Sequence, residues 1–353
     1  MSDLELLVTL WPTFPHFERF ATDSRLAGVR LNTAMVKAEE IGDALVKAQS
    51  IPNHVPLWFD VKGRQLRITE VIPNGENLEV ILNHPIEVKT PAMVLFKAGE
   101  DYALLDKVVD GNHLIFSGGP KYMVYSGESL HIRDPSLKVN GPLFTENEIE
   151  KIRMAREAGF DRFFLSYVEC QNDIEEFRKY VGDSQIIAKI ENKKGLDYVA
   201  NEYKKQENLA IIVARGDLYV EVDKPHHILD AMRLLISKDK EAYMGSRLML
   251  SVIHNEVPSA ADLSEIAWCY DLGYRRMLLC DELCLKEELL SRAVNVLDAF
   301  KNDYCTKYGP SAGNPKAVAH ASPTNPVEGN EPGKKSLFAW VRDKLNPKYE
   351  QKG

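Results

Sequence analysis

The chain has 353 residues, 44% of them hydrophobic and 27% charged, with a formal net charge of −8. These are ordinary values for a globular protein with a sizeable core, and the negative balance argues against a general nucleic-acid binder, whose affinity would rest on phosphate neutralisation. No apolar run approaches the roughly 18–20 residues needed to cross a bilayer. Five cysteines (Cys170, Cys269, Cys280, Cys284, Cys305) without CxxC spacing argue against a disulfide framework or a structural zinc site. The N-terminal MSDLELLVTLWPTF lacks a basic region and a small-residue cleavage site, so no secretory signal is expected and a cytoplasmic enzyme is the default.

In chain order, apolar runs of strand length fall at Leu4–Trp11, Gly28–Asn32 and Pro56–Gly63. After a gap they resume at Arg162–Val168, Ser184–Asn192, Leu209–Asp217, Ala242–Leu248 and Arg275–Glu282. Helical periodicity separates most of them. In Thr145–Gly159, Thr145 and Glu148 have capping-box spacing and Gly159 sits where a helix ends. In Lys286–Phe300 the apolar positions Leu289, Val294, Leu297 and Phe300 form one stripe. Near-continuous apolar strands, each followed by a helix, indicate a parallel sheet covered on both faces. Eight such units without a glycine-rich loop after the first predict a closed (β/α)8 barrel, formed by residues 1–67 and 141–305, in which chemistry collects at the C-terminal strand ends. Residues 68–140 lack helical period and read as a small all-β domain inserted after the third strand. Five of the 18 prolines fall between Gly309 and Lys334, so 306–335 is expected to be a flexible linker. Residues 336–346 are then a short amphipathic helix that docks or binds a partner.

Residues i and i+2 of a strand share a face. Three predicted strands end in a polar pair at that spacing: Arg30 and Asn32, Asp60 and Lys62, Lys189 and Glu191. A fourth ends in Arg215-Gly216-Asp217. Burying these charges unpaired would be very costly. A structural account must pair them all, whereas a functional account gives them a divalent cation and an anionic substrate. Carboxylates without histidine or thiolate partners favour Mg2+ or Mn2+. Lysine and arginine offset charge on a phosphoryl group or an enolate. Gly216 allows close backbone approach, and a helix starting after Asp217 would offer free N–H groups to an anion. His226 and His227 read as surface residues, Cys280 and Cys284 as core thiols, and Gly118-Gly119-Pro120 as a turn.

Several ordered motifs resemble the pyruvate kinase family over most of residues 4–300. IIAKIENKKG (Ile186–Gly195) and IIVARGDLYVEV (Ile211–Val222) are similar to its two most distinctive segments. FDVKGRQLR (Phe59–Arg67), VRLN (Val29–Asn32) and LLVTLWP (Leu6–Pro12) match further ones, and the β insert falls where the family has a mobile lid. The resemblance implies a Mg2+- or Mn2+-dependent transfer of phosphoryl between phosphoenolpyruvate and ADP, giving pyruvate and ATP. Carried over by position, Lys189 stabilises the transferring phosphoryl group and the enolate, with Arg30 beside it. Glu191 and Asp217 hold the divalent metal, and Asn32 and Asp60 hold a K+ ion where one is used. The backbone at Arg215, Gly216 and Asp217 holds the substrate carboxylate, Ser246 helps deliver the enolate proton, and Arg67 and Asn32 lie on the nucleotide side. Lys138, near the insert's return, is left unassigned.

Departures from the family pattern cluster on the nucleotide and potassium side. Asn32-Thr33-Ala34-Met35 replaces Asn-Phe-Ser-His, Gln65 stands where the family has glutamate or lysine, and Trp11 and Tyr219 replace glycines. The family's C-terminal regulatory domain is expected to be absent. Two alternatives therefore stay open: an aldolase- or transferase-like enzyme handling enolpyruvate with another acceptor, and a non-catalytic binding protein. Oligomeric state is left open, with a homo-oligomer allowed.

Overall fold

The computed structural model describes residues 4–33, 38–74 and 77–308. The expected helix at 336–346 lies outside them, as does the expected linker beyond Tyr308. The linker's first residues, Thr306–Tyr308, are helical and continue a π turn over Lys301–Cys305 that follows the Glu287–Phe300 helix.

Eight strands close into a parallel barrel: β1 (Glu5–Leu10), β2 (Gly28–Asn32), β3 (Leu57–Val61), then, beyond the insert, β12 (Arg162–Leu165), β13 (Gln185–Ile190), β14 (Leu209–Ala214), β15 (Tyr243–Gly245) and β16 (Arg276–Leu278). β1 pairs with both β2 and β16, which leaves no open edge. The closed (β/α)8 barrel read from the sequence is thus the fold. Helices at Phe17–Ala21, Ala38–Ser50, Glu146–Glu157, Gln171–Val181, Lys193–Asn201, His227–Lys238, Ala260–Leu272 and Glu287–Phe300 follow the strands. Their apolar faces meet the outer face of the barrel in one large buried cluster that includes Phe59, Phe163, Ile186, Ile211 and Met244. Thr145 caps its helix by accepting from the Glu148 N–H, and Gly159 follows that helix's end at φ +88°. The Glu148 carboxylate does not close the box; it accepts instead from Lys151 at 2.8 Å and from the Lys62 N–H at 3.1 Å.

Inside the barrel the alternation of strand side chains builds layers. Leu7, Trp58, Phe164, Ile187, Ile212, Tyr243 and Leu278 form an apolar plug. Gly28 and Gly245 make room for it: a Cβ at Gly28 would lie 3.0 Å from the Trp58 ring, and one at Gly245 2.7 Å from Ile212 Cδ1. Two residues further along the same faces come Thr9, Arg30, Asp60, Ser166 and Lys189, all buried. The plug closes the bottom of the barrel, so every polar group of the next layer points to the mouth.

Between β3 and the Glu146–Glu157 helix the chain forms β4 (Ile68–Asn74), β5 (Asn77–Leu82), β6 (Ile86–Glu87), β7 (Ala92–Phe96), β8 (Asp101–Val109), β9 (His113–Phe116), β10 (Leu130–Ile132) and β11 (Lys138–Val139). Six of them make an antiparallel sheet in the order β10-β7-β8-β9-β5-β4, while β11 pairs with β6. The insert has its own core around Val80, Val94, Phe96, Leu105, Leu114 and Phe116. It leaves the barrel at Gly63, whose φ is +26° and where a Cβ would lie 2.5 Å from the Ser166 carbonyl oxygen, a contact only glycine tolerates.

Most predicted strands run past their real ends, and in three the overrun hides a helix or a turn. β14 stops at Ala214 and Arg215-Gly216-Asp217 opens a helix, Arg215–Glu221, so Asp217 stands in a first helical turn rather than before a helix. β15 stops at Gly245 and β16 at Leu278, after which Asp281 opens a short helix, Asp281–Cys284. Apolar residues of these helices, such as Leu218 and Leu283, follow the strands after only two or three polar positions, which blurs the boundary.

Candidate active site

The polar layer at the mouth is a connected network of opposite charges. Asp60, fully buried, is its anionic centre. It accepts from Arg30 Nε at 3.0 Å and from Lys62 Nζ at 2.8 Å, with Lys189 Nζ at 3.7 Å. Arg30 also donates to Thr9 Oγ1 at 3.2 Å and lies 3.6 Å from Asp281. Lys62 donates to Asn32 Oδ1 at 2.8 Å, and Asn32 Nδ2 donates to Asp281 at 2.9 Å. Lys189 bridges to the next strand: its ammonium donates to Ser166 Oγ at 2.9 Å and lies 3.0 Å from Glu191 Oε1. Glu191 Oε2 accepts from the Tyr167 N–H at 2.8 Å, a residue held at φ +54°.

Glu191 and Asp217 face each other across the gap between β13 and the Arg215–Glu221 helix, close enough to perturb each other's ionisation. Gln65 Nε2 donates to Asp217 at 3.2 Å, and Arg67 fixes Gln65 through its Oε1 at 2.7 Å while also reaching the Gly127 carbonyl. From the insert, His131 of β10 places Nε2 3.4 Å from Asp217 Oδ1 and Nδ1 2.8 Å from Glu221.

These neighbours set the ionisation of the site. Burial alone would raise the Asp60 carboxyl, but Lys189, Lys62 and Arg30 outweigh it and hold it well below the usual range. Burial lowers Lys62 to about 8 despite Asp60. Against burial, Asp60 and Glu191 raise Lys189, which stays an ammonium. Burial, opposed by Lys189 and reinforced by Asp217, lifts Glu191 to about 7, while His131 and Lys189 keep Asp217 low against its own burial. Burial would lower His131, yet Asp217 and Glu221 bring it up to about 10. Two facing carboxyls that ionise together only at a cost are the arrangement that a divalent cation relieves. Their oxygens suit Mg2+ or Mn2+.

Of the residues singled out in the sequence, Arg30, Asn32, Asp60, Lys189, Glu191 and Asp217 thus stand together. Ser246, at φ +64°, lies over Gly216, where a Cβ would meet its hydroxyl at 3.5 Å. The Arg215 side chain turns away from the mouth, donating to the Ser246 carbonyl at 2.6 Å and pairing with Glu265, so only its backbone faces the site. Arg67 is bound to Gln65 and Gly127, and Lys138 is exposed, 4.0 Å from Glu87. His226 stacks edge-on with His227, Cys280 and Cys284 are buried free thiols, and Trp11 is buried. Ser166, Gln65, Asp281, Tyr167, Glu221 and His131 complete the network without having been singled out as site residues. Ser166 follows the same i+2 rule from Phe164; His131 had no sequence signal, because nothing in the insert tells which strand meets the barrel.

Fold and mouth together define a (β/α)8 barrel that gathers buried ammonium, guanidinium and carboxylate groups at its C-terminal end, the arrangement of a barrel enzyme rather than of a scaffold. Comparison with known proteins finds a likeness to one family. The family model described as pyruvate kinase, barrel domain, matches residues 125–279. The pyruvate kinase of Methanocaldococcus jannaschii is 23% identical over 86% of this chain and 71% of its own length. That of Thermoplasma acidophilum is 25% identical over 74% of the chain and 51% of its own length, and that of Chlamydia muridarum 29% over 74% and 60%. The chain is thus similar to pyruvate kinases over most of its barrel, and it spans between about half and 71% of these relatives. Among the described residues no helix is long and apolar enough to cross a membrane.

Proposed function

We propose that this protein transfers a phosphoryl group between phosphoenolpyruvate and ADP, giving pyruvate and ATP, with Mg2+ or Mn2+ held by Glu191 and Asp217. The observation that carries this reading is the Lys189 ammonium, fixed 3.0 Å from Glu191 and 3.7 Å from Asp60 Oδ2, the oxygen that Arg30 also meets at 2.9 Å. Two permanent cations then flank the place where negative charge builds on the moving phosphoryl oxygens, and they are held before substrate arrives, so little reorganisation is needed. The divalent cation supplies Lewis-acid polarisation of the substrate oxygens. Gly216 lets the keto acid approach the backbone, with the Ser246 hydroxyl above it in position to pass a proton to the enolate carbon. Arg67 and Asn32 are assigned to the nucleotide side.

A K+ ion is a weaker requirement in this reading, because the Lys62 ammonium already sits 2.8 Å from both Asn32 Oδ1 and Asp60 Oδ2, the two residues assigned to it. A coupled assay of pyruvate release from phosphoenolpyruvate, ADP and Mg2+ tests the proposal. It requires activity well above that of Lys189→Met, and activity equal to that control rejects it.

A second reading, an enolpyruvate-handling enzyme with another acceptor, is supported by the inward ties of Arg67 to Gln65 and Gly127. Mg2+-dependent deuterium exchange into pyruvate without kinase turnover would select it.

A further inference from the structure

Tyr219 lies on the helix that carries Asp217, and its ring meets Arg247 in the loop that carries Ser246. That helix, Arg215–Glu221, is only seven residues long, and Ala214 gives it no side-chain cap. Helices below about 12 residues are marginal on their own, so tertiary contacts must hold this one. Two arginines supply them by reaching in opposite directions. The buried Arg215 side chain runs from helix to loop, donating to the Ser246 carbonyl at 2.6 Å and the Gly245 carbonyl at 3.4 Å, with Glu265 as counter-charge. The Arg247 side chain runs back. Its Nε donates to the Arg215 carbonyl at 3.2 Å, and its guanidinium carbon lies 4.5 Å from the centre of the Tyr219 ring, a cation–π contact. Ser246 and Arg247 both hold left-handed backbone, at φ +64° and +59°. Non-glycine residues persist there only where their surroundings enforce it, and such residues gather at functional sites. Here the enforced conformation sets the Ser246 hydroxyl over Gly216.

We propose that Arg247, seated on Tyr219, is a positioning residue for Ser246: it holds the loop in its left-handed turn and so fixes where the hydroxyl stands over Gly216. This rests on the reading of Ser246 as the group that passes a proton to the enolate carbon. Arg247 touches neither substrate nor metal in this scheme. Without it, Arg215 still ties the helix to the Gly245 carbonyl and to Glu265, so Gly216 and Asp217 keep their places. The loss falls on the orientation of one hydroxyl, and small misplacements of a reacting group are costly in rate.

The test uses the full-length protein and two probes: Mg2+-dependent exchange of pyruvate methyl protons for solvent deuterium, and calorimetric binding of oxalate with Mg2+. Arg247→Met keeps the apolar stem but removes the donor and the charge. Exchange should fall by about 10- to 100-fold while oxalate affinity stays within about twofold. Tyr219→Ala carries the same test from the helix side and should show the same split, whereas Tyr219→Phe, which keeps a ring for the guanidinium, should restore exchange. The Arg247→Met, Tyr219→Ala double variant should be no slower than the slower single variant, because both remove one contact. Thermal melting checks that each variant is folded. Unchanged exchange in Arg247→Met, equal loss of exchange and oxalate binding, or multiplying effects in the double variant overturns the proposal. Wild type that does not exchange, or Ser246→Ala that exchanges at the wild-type rate, overturns the reading of Ser246 beneath it as well.

Discussion

Replacing Asp60 with asparagine probes the charge network where it is most exacting. The side chain keeps its size but loses the anion that Arg30 and Lys62 contact at 2.8–3.0 Å and that Lys189 faces at 3.7 Å. Removing one partner of a buried ion pair costs about 3–5 kcal/mol, mostly because the other charge stays buried and uncompensated. Here three cations lose their shared counter-charge. Arg30 retains Asp281 at 3.6 Å and Lys189 retains Glu191 at 3.0 Å, so the loss should fall inside that range rather than beyond it. For a protein of this size about 1 kcal/mol corresponds to about 2 °C, giving a melting point lower by about 6–10 °C. The Asp60 carboxyl is depressed in the folded state, so its contribution is complete above the ordinary aspartate range and is lost only as the pH falls below it. Lys62, held at about 8 with this counter-charge, titrates lower without it, so the difference between wild type and variant should be smaller at pH 8 than at pH 6. Calorimetric melting at both values measures it. A variant melting within about 1 °C of wild type would refute the buried pairing.

Lys62 supplies a fixed monovalent cation between Asn32 and Asp60, so replacing KCl with NaCl should change turnover by less than about twofold; a loss of about tenfold or more, about 1.4 kcal/mol, would show that an ion is still required there. His84, buried where the insert leaves the barrel and 3.2 Å from the Gly63 carbonyl, is held below its ordinary pKa by burial. The unfolded chain then takes up the proton first as the pH falls through about 6.5, so folding stability should decline below that value. His84→Asn should flatten this part of the profile in urea unfolding at pH 7.5 and 5.5, and an unchanged profile would exclude His84 as the source.

The barrel was legible because buried parallel strands and amphipathic helices differ in period, and the polar pairs stood out because side chains alternate. Trp58 below Asp60 and Ile187 below Lys189 show the same rule at work in space. What stayed hidden depended on backbone direction or on long-range docking. Arg215-Gly216-Asp217 read as a strand end because nothing local marks where Leu209–Ala214 gives way to the helix. Asp281 lay inside the eighth predicted run, yet the chain leaves the strand at Leu278, so alternation gave no hint of its turn toward Arg30 and Asn32. The left-handed residues Tyr167 and Ser246, which aim a backbone N–H at Glu191 and a hydroxyl over Gly216, carry no glycine or asparagine to mark them. His131 reaches the site only because the whole insert packs over it, a contact spanning 86 positions of chain to Asp217 that no local pattern encodes.

Titration calorimetry with oxalate, a planar dianion resembling the enolate of pyruvate, bears most directly on whether Glu191, Asp217 and Lys189 form one working centre. Oxalate should bind in the presence of Mg2+ or Mn2+, should fail to bind when the metal is chelated, and should fail to bind Asp217→Asn at any metal concentration. Binding that ignores the metal, or that survives loss of Asp217, would contradict the account.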